Sequence, residues 1–451
     1  MRKSVVIIGG GLVGTMLGCV LGQRGFQVDI YEKRPDLRKQ GLSGGRSINL
    51  ALSHRGLKAL RLIGVEEQLN PILIPMKGRM MHDTTGKRTF QAYSQEGYHI
   101  NSVSRSKLNA FLLDAAEQFP HVRIHFEHDC RKIDLAAQEI QFRLKDGSLK
   151  TVSYEWLFGG DGAFSPVRRA LINTDRFNFS QTFLEYGYKE LSIPPTPTNE
   201  FALEPHALHI WPRQSFMLIA LPNPDKTFTA TLFLPFEGKD SFESLNTPEA
   251  VKTFFQTYFP DALSLMPHLE TEFFKNPTAS LVMIKCQPWV KGNVALIGDA
   301  AHAIVPFYGQ GMNAGFEDCF VLNQLLDEHN DDLRIVLPRY QQLRIPDANA
   351  IAELAMQNFI EMRDLVGKPA FLLRKTIEDK IHQQVPQWIP LYSMVTFSDM
   401  RYSEALKIGK WQDEVMQSIM NDSNVLAQWE HLDFSSDPRL IDFVAKVMAC
   451  Q

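Results

Sequence analysis

The sequence predicts an α/β protein: a Rossmann-like domain, a mixed β-sheet domain and a helical C-terminal region. Three stretches carry that reading. VVIIGGGLVG runs from Val5 to Gly14, WLFGGDG from Trp156 to Gly162, and VALIGDA from Val294 to Ala300. In each, a buried-strand pattern meets glycine just where a helix can begin.

The first stretch belongs to a complete unit. Residues 3–8 form a continuous, β-branched run, as a strand buried on both faces requires. Gly9, Gly11 and Gly14 follow in the GxGxxG spacing. Residues 12–24 read as a helix with Leu17, Val20 and Leu21 on one face, and Gly25 ends it. Residues 26–31 form a second strand, with Glu32 at its end. Gly9 allows the tight turn. Gly11 lets a pyrophosphate approach the backbone, and Gly14 lets helix pack on strand. Free N–H groups at the helix start attract phosphate, and Glu32 can accept bonds from an adenosine ribose. Lys33 and Arg34 stand beside it for phosphate or ribose oxygens. A secretory signal is the competing reading of this terminus. Specifically placed glycines and the second strand argue against it. The unit alone does not separate NAD from FAD.

Composition narrows the function classes. The 451 residues carry a formal net charge of -4, with 44% hydrophobic and 22% charged residues. That is an ordinary globular balance without a basic footprint for nucleic acid. No run approaches a membrane span. Cys19, Cys130, Cys286, Cys319 and Cys450 are scattered with no CxxC pair, so reduced thiols and a cytoplasmic, soluble protein are expected. No metal-ligand spacing, paired carboxylates or Ser/His/Asp order stands out. His302 follows Asp299 closely, but at a strand-to-helix crossing it reads as structural.

Asp161 in the second stretch and Asp299 in the third place two further acids after strands. Pro306–Phe307–Tyr308–Gly309–Gln310–Gly311–Met312–Asn313 leads into another helix. Its N–H groups from Gly311 to Asn313 would stabilise negative charge. No second GxGxxG unit with a following acid exists, so a separate nicotinamide domain is not expected.

These three sites, in this order, resemble the class A flavoprotein aromatic monooxygenases, whose fold is that of p-hydroxybenzoate hydroxylase. The resemblance implies FAD as cofactor. Asp161 would serve flavin and reduced nicotinamide cofactor, and Asp299 the ribityl chain. Longer blocks are similar to the kynurenine 3-monooxygenases: Gly45 through Gly56, Leu208 through Arg213, Gly298 through Asp318, Leu343 through Asp347, and Ile389 through Ser398. That narrower resemblance implies hydroxylation of L-kynurenine to 3-hydroxykynurenine with NADPH and O2, through a flavin C4a-hydroperoxide. The flavin would carry the chemistry, with no protein group as catalyst. Another aromatic acid as substrate of the same fold is the alternative. The animal members' apolar C-terminal anchor has no counterpart here, where residues 424–451 read as an amphipathic helix at most.

By the same resemblance Arg79, Tyr93, Asn358 and Tyr402 hold the substrate's amino-acid end, and Arg105 lies beside FAD. Val13 and Ala51 join the cofactor set. A hairpin centred on Gly86 would set Arg79 opposite Tyr93 on one face. Leu208, Ile210, Phe228, Pro306, Phe307 and Tyr308 are expected to line the ring slot. Strands near Phe201 and over residues 227–236 would roof it. The expected domains are 1–75, 98–175 and 285–336 for FAD, 76–97 and 176–284 for the substrate sheet, and 337–451 for the helical region.

Overall fold

The structure is a computed structural model that describes residues 3–39, 49–94, 97–361 and 369–449. The matched block Gly45 to Gly56 is therefore described only from Asn49, and Cys450 lies outside the described residues.

The first unit forms as its sequence dictates. Strand Ser4–Ile8, helix Leu12–Gln23 and strand Gln27–Tyr31 follow in succession. Strand Ser4–Ile8 pairs in parallel with Gln27–Tyr31 on one side and Trp156–Gly159 on the other. The last pairs in parallel with Val294–Leu296. Three strands remote in sequence are thus neighbours in one six-stranded sheet, and their glycine turns leave it at the same end. Crossover helices bury both faces, so Val5, Ile7, Val28, Leu157, Phe158 and Leu296 have no exposed surface.

The second layer is a seven-stranded sheet. Its order is Ala279–Gln287, Asn178–Ile193, Phe228–Pro235, Phe216–Pro222, Ala207–Arg213, Gly78–His82, Arg88–Ala92. All its pairings are antiparallel except that of Gly78–His82 with Ala207–Arg213. Side chains alternate between two faces. Leu208, Ile210, Met217, Ile219, Thr231 and Phe233 share the face turned to the six-stranded sheet. His209, Trp211, Leu218, Phe228, Ala230 and Leu232 share the other, where helices Pro248–Tyr258 and Leu269–Lys275 cover them. No strand forms at Phe201; the chain there precedes Ala207–Arg213.

The C-terminal part is helical, beginning with the 28-residue helix Leu333–Ile360. It includes Leu391–Phe397 and Tyr402–Met420 and reaches the helix Pro438–Met448. That last helix buries Leu440, Phe443 and Val447 and leaves Ile441 exposed, the amphipathic pattern expected. Among the described residues no helix is long and apolar enough to cross a membrane.

Candidate active site

A cavity of about 960 Å³ lies between the two sheets. Its one end is the meeting point of the glycine turns. Gly9 has φ +106°, and a Cβ there would stand 2.4 Å from the Gly160 carbonyl oxygen. A Cβ on Gly14 would stand 2.0 Å from the Gly9 oxygen, so first turn and first helix touch through backbone. Gly11 differs: a Cβ there meets nothing within 4 Å, because it faces the cavity. No side chain caps the helix it opens. The helix start is left with free N–H groups, a shape that suits a phosphate. Val13 supports it from inside, filling the space beside Gly298 and Gly315.

Acids and bases ring this end. Glu32 accepts hydrogen bonds from the Gly10 and Arg34 amides, both at 2.9 Å. Lys33, Arg34, Ala51 and Arg105 line the cavity with it. Asp161 Oδ2 accepts from the Val167 amide at 3.1 Å, while its Oδ1 is buried with no partner. Burial pushes the Asp161 carboxyl up to about 6. Asp299 opens the short helix Asp299–His302 and faces the cavity. Gly311 opens helix Gly311–Glu328, again without a side-chain cap, and Met312 lines the wall. Asn313 does not reach the cavity. Its amide donates to the Ala51 and Gly309 carbonyls and accepts from the Ser53 amide, which ties residues 51–53 to the turn at Gly309. A cradle that only glycine fits, an orphaned carboxylate oxygen and two open helix ends fit a dinucleotide with a flavin.

The other end is aromatic. Arg79 lies on strand Gly78–His82 with its guanidinium 4.7 Å from the Tyr392 ring and 5.7 Å from the Tyr93 ring. Tyr392 stacks between Tyr93 at 5.3 Å and Tyr308 at 5.5 Å. Among the described residues no carboxylate forms an ion pair with Arg79, and the Tyr93 hydroxyl is buried without a partner. Burial raises both Tyr93 and Tyr308 well above the usual phenol range, so both stay neutral donors. Leu208, Pro306, Phe307, Met217, Ile219 and Phe233 complete an apolar wall.

Several expectations are corrected here. Arg79 pairs with Gln91, and the Tyr93 amide bonds the Lys77 carbonyl, so Tyr93 is the diagonal neighbour of Arg79 rather than its partner. The shared face survives because the offset is two residues. Phe228 lies on the far face of the sheet against Phe201 and His209, since strand alternation turns Thr231 and Phe233 inward instead. Ile210 has the right face but packs into the helical core. Tyr402 is fully buried; its hydroxyl donates to Gln310 Oε1 at 2.9 Å and its ring carries the Arg55 guanidinium at 4.0 Å. Asn358 donates to the Phe307 carbonyl at 2.5 Å. Both hold the Pro306–Gln310 segment from behind the wall. Tyr392, ten residues before Tyr402, is the tyrosine that lines the cavity, and sequence reasoning passed over it.

His302 is structural. Its Nε2 lies 2.5 Å from Asp318 Oδ2, and its ring stacks on Trp289. Asp318 also accepts from Arg344 and the Gly298 amide. Burial opposes the charge of Asp318, but His302 and Arg344 outweigh it and hold the carboxyl below its usual range. Arg344 continues to Glu317 and Asp347, and Arg55 joins through Glu317 to the Val395 carbonyl. This buried network ties the third glycine turn to the segment that carries Tyr392. Among the described residues no group of acids, histidines and thiols could hold a metal, and Cys19, Cys130, Cys286 and Cys319 are free thiols.

Comparison with known proteins agrees with this geometry. Residues 2–354 match the family model described as an FAD binding domain. The kynurenine 3-monooxygenase of Sus scrofa is 46% identical over 93% of this chain and 89% of its own length. That of Legionella pneumophila (strain Corby) is 43% identical over 92% and 93%. The chain belongs to the kynurenine 3-monooxygenases. Solved structures of lower identity share the family's fold. The tetrameric form of 2-methyl-3-hydroxypyridine-5-carboxylic acid oxygenase is 21% identical with a TM-score of 0.66, covering 82% of this chain and 95% of that one. Pseudomonas aeruginosa PqsL, in complex with 2-aminobenzoylacetate, is 21% identical with a TM-score of 0.64, covering 81% and 97%. In this kynurenine 3-monooxygenase sequence the missed Tyr392 sits in the block Ile389 to Ser398. Its signal was there: an aromatic directly after Ile389–Pro390–Leu391, at the start of a helix.

Proposed function

We propose that the chain is an FAD-dependent monooxygenase that hydroxylates L-kynurenine to 3-hydroxykynurenine with NADPH and O2. The observation that carries it is Arg79, a guanidinium in the cavity wall beside the Tyr93 and Tyr392 rings with no carboxylate paired to it. A permanent cation with no carboxylate in ion-pair contact calls for an anionic ligand, and a substrate α-carboxylate supplies one.

Gly9, Gly11 and Gly14 with the open helix end would hold the FAD pyrophosphate. Glu32, Lys33 and Arg34 would hold the adenosine ribose and its surroundings. Arg105, Asp161, Asp299 and the amides of Gly311 and Met312 would hold the rest of the cofactor, with Asn313 bracing the turn beside them. When bound, FAD supplies hydride acceptance and oxygen activation. The protein's own work is binding and exclusion. Arg79 and the Tyr392 hydroxyl orient the carboxylate, with Tyr93 bracing both. Phe307, Tyr308 and Met217 keep the reacting face dry. Asn358 and Tyr402 act on the substrate's polar end through the Pro306–Gln310 segment. No strong base is required, because the substrate's ring amine already activates the ring. The expected division gives 1–75, 98–175 and 285–336 to FAD, 76–97 and 176–284 to the substrate sheet and 337–451 to the helical region, with strand Ala279–Gln287 of the seven-stranded sheet running across the boundary at 285. A cytoplasmic location fits the four free thiols.

The test is Arg79→Met in the FAD-loaded enzyme. KM for kynurenine should rise by on the order of a hundredfold, as for a lost charge-assisted bidentate pair, with FAD still bound. Unchanged KM would refute the carboxylate assignment.

A further inference from the structure

Behind Arg79, on the sheet face turned away from the cavity, acid–base side chains form an unbroken chain, buried at its two histidines, that the proposed function does not use. His82 and His209 have no exposed surface. His82 Nδ1 lies 2.7 Å from Asp261 Oδ2, and His82 Nε2 lies 2.8 Å from His209 Nδ1. His209 Nε2 lies 2.9 Å from the Glu204 carbonyl oxygen. The Trp211 indole N–H donates to Asp261 Oδ2 at 2.9 Å, and its ring stacks on His82 at 3.9 Å.

Donor counting fixes the direction of each bond. A carbonyl only accepts, so His209 Nε2 carries the hydrogen. Burial pushes His209 down to about 4, so the ring is neutral and its Nδ1 is a bare acceptor. His82 Nε2 must therefore donate. Burial works against charge on Asp261, but the bonds from His82 and Trp211 outweigh it and hold the carboxyl below its usual range. The carboxylate accepts from His82 Nδ1. His82 thus donates from both nitrogens, to Asp261 and to His209.

The place of this chain gives it a task. Arg79 and His82 lie on the same strand, on opposite faces. That strand and Arg88–Ala92 form one edge of the seven-stranded sheet. A parallel pairing, Gly78 to Met81 with Ala207 to Ile210, joins this edge to the rest of the sheet. A slip of one residue would turn Arg79 out of the cavity. The His82–His209 bond crosses that pairing. Asp261 ties the same strand to helix Pro260–Leu263. Arg213 donates to the His82 and Asp83 carbonyls at 3.0 and 3.1 Å.

We infer that Asp261, His82 and His209 are positioning residues for substrate recognition: they pin the register of the strand that presents Arg79 to the substrate carboxylate. None of them touches substrate. The inference rests on the reading of Arg79 as the carboxylate's partner.

The experiment is a double-mutant cycle in the FAD-loaded enzyme. His209→Leu leaves a donor of His82 buried and unsatisfied. KM for kynurenine should rise on the order of tenfold with kcat within about twofold. His209→Gln offers an amide oxygen to His82 and an amide N–H to Glu204, and should restore KM to within about threefold. In the Arg79→Met background, His209→Leu should add nothing to KM, because both changes remove one function. Asp261→Asn is the second route, read in the same way, should the leucine variant fail to load FAD. Unchanged KM in His209→Leu with raised KM in Arg79→Met overturns the positioning role alone. So do effects that multiply in the double variant, or a fall in kcat at constant KM. Unchanged KM in Arg79→Met overturns the carboxylate reading, and the positioning role with it.

Discussion

The cavity has two ends built from different material. The glycine end is backbone against backbone: Gly9 on Gly160, Gly14 on Gly9, with N–H groups left free at two helix starts. The aromatic end is side chain against side chain. Arg79 arrives on a strand, Tyr308 on a one-turn helix and Tyr392 at the head of another helix, from segments far apart in the chain. Backbone walls tolerate no added atom but ask nothing of partner residues. Side-chain walls tolerate change at one position as long as the others keep their places.

Glycine substitutions probe the first half of that contrast and should have the largest effect. Gly14→Ala drives a methyl to 2.0 Å from the Gly9 carbonyl oxygen, where neither backbone can yield. The purified variant should be colourless and less stable. Gly11→Ala meets no protein atom within 4 Å and has an ordinary negative φ of -79°. It should keep the melting temperature of the cofactor-free protein and lose only FAD affinity, by at least about tenfold in a flavin fluorescence titration. If both variants lose stability together, the distinction between packing glycine and ligand-facing glycine is wrong.

The same contrast explains what the sequence made legible. A turn that only glycine can make leaves its mark at fixed spacing, so all three glycine turns and the strands before them are readable locally. Glu32 and Asp161 are readable because each ends a strand beside such a turn. The aromatic end leaves no local mark. Arg79 and Tyr93 were placed on one face correctly, but their register depends on where the hairpin turns, and Tyr93 falls opposite Lys77. Phe228 looked like a wall residue because composition does not say which strand face is inward; the pairing of Met217 with Phe233 decides it. Tyr402 and Tyr392 share one helical region. Only the anchoring of that region by Arg55, at the Val395 carbonyl, shows which of the two is turned to the cavity.

Exchanging the two tyrosine hydroxyls sharpens the second half. Tyr392→Phe keeps the ring stack with Tyr93 and Tyr308 in the cavity wall and removes only the hydroxyl. KM for kynurenine should rise about three- to tenfold, the worth of one hydrogen bond to a charged group. Tyr402→Phe removes a buried bond to Gln310 instead. It should cost about 1 kcal/mol of stability, read in urea denaturation, and move KM less than Tyr392→Phe does. A larger KM effect at Tyr402 would return it to the substrate's side of the wall.

The smallest effect belongs to the one side chain that breaks the rule at the backbone end. Asp161 Oδ1 has no partner there, and burial lifts the carboxyl from 3.8 to about 6. A carboxyl whose folded value is raised costs stability once ionised. The cost is absent below about pH 4, grows as pH rises towards 6 and is complete above it. The full linkage would be about 3 kcal/mol, which relaxation of the surrounding dipoles reduces to on the order of 1 kcal/mol. Asp161→Asn should therefore stabilise the cofactor-free protein by that amount at pH 7.5 and by nothing at pH 4, in urea denaturation at both pH values. The same variant should bind FAD more weakly, because an unpaired acceptor in the cavity wall is worth its cost only when a ligand donates to it. A gain in stability at pH 4 equal to that at pH 7.5 would show that the benefit comes from packing rather than from the charge.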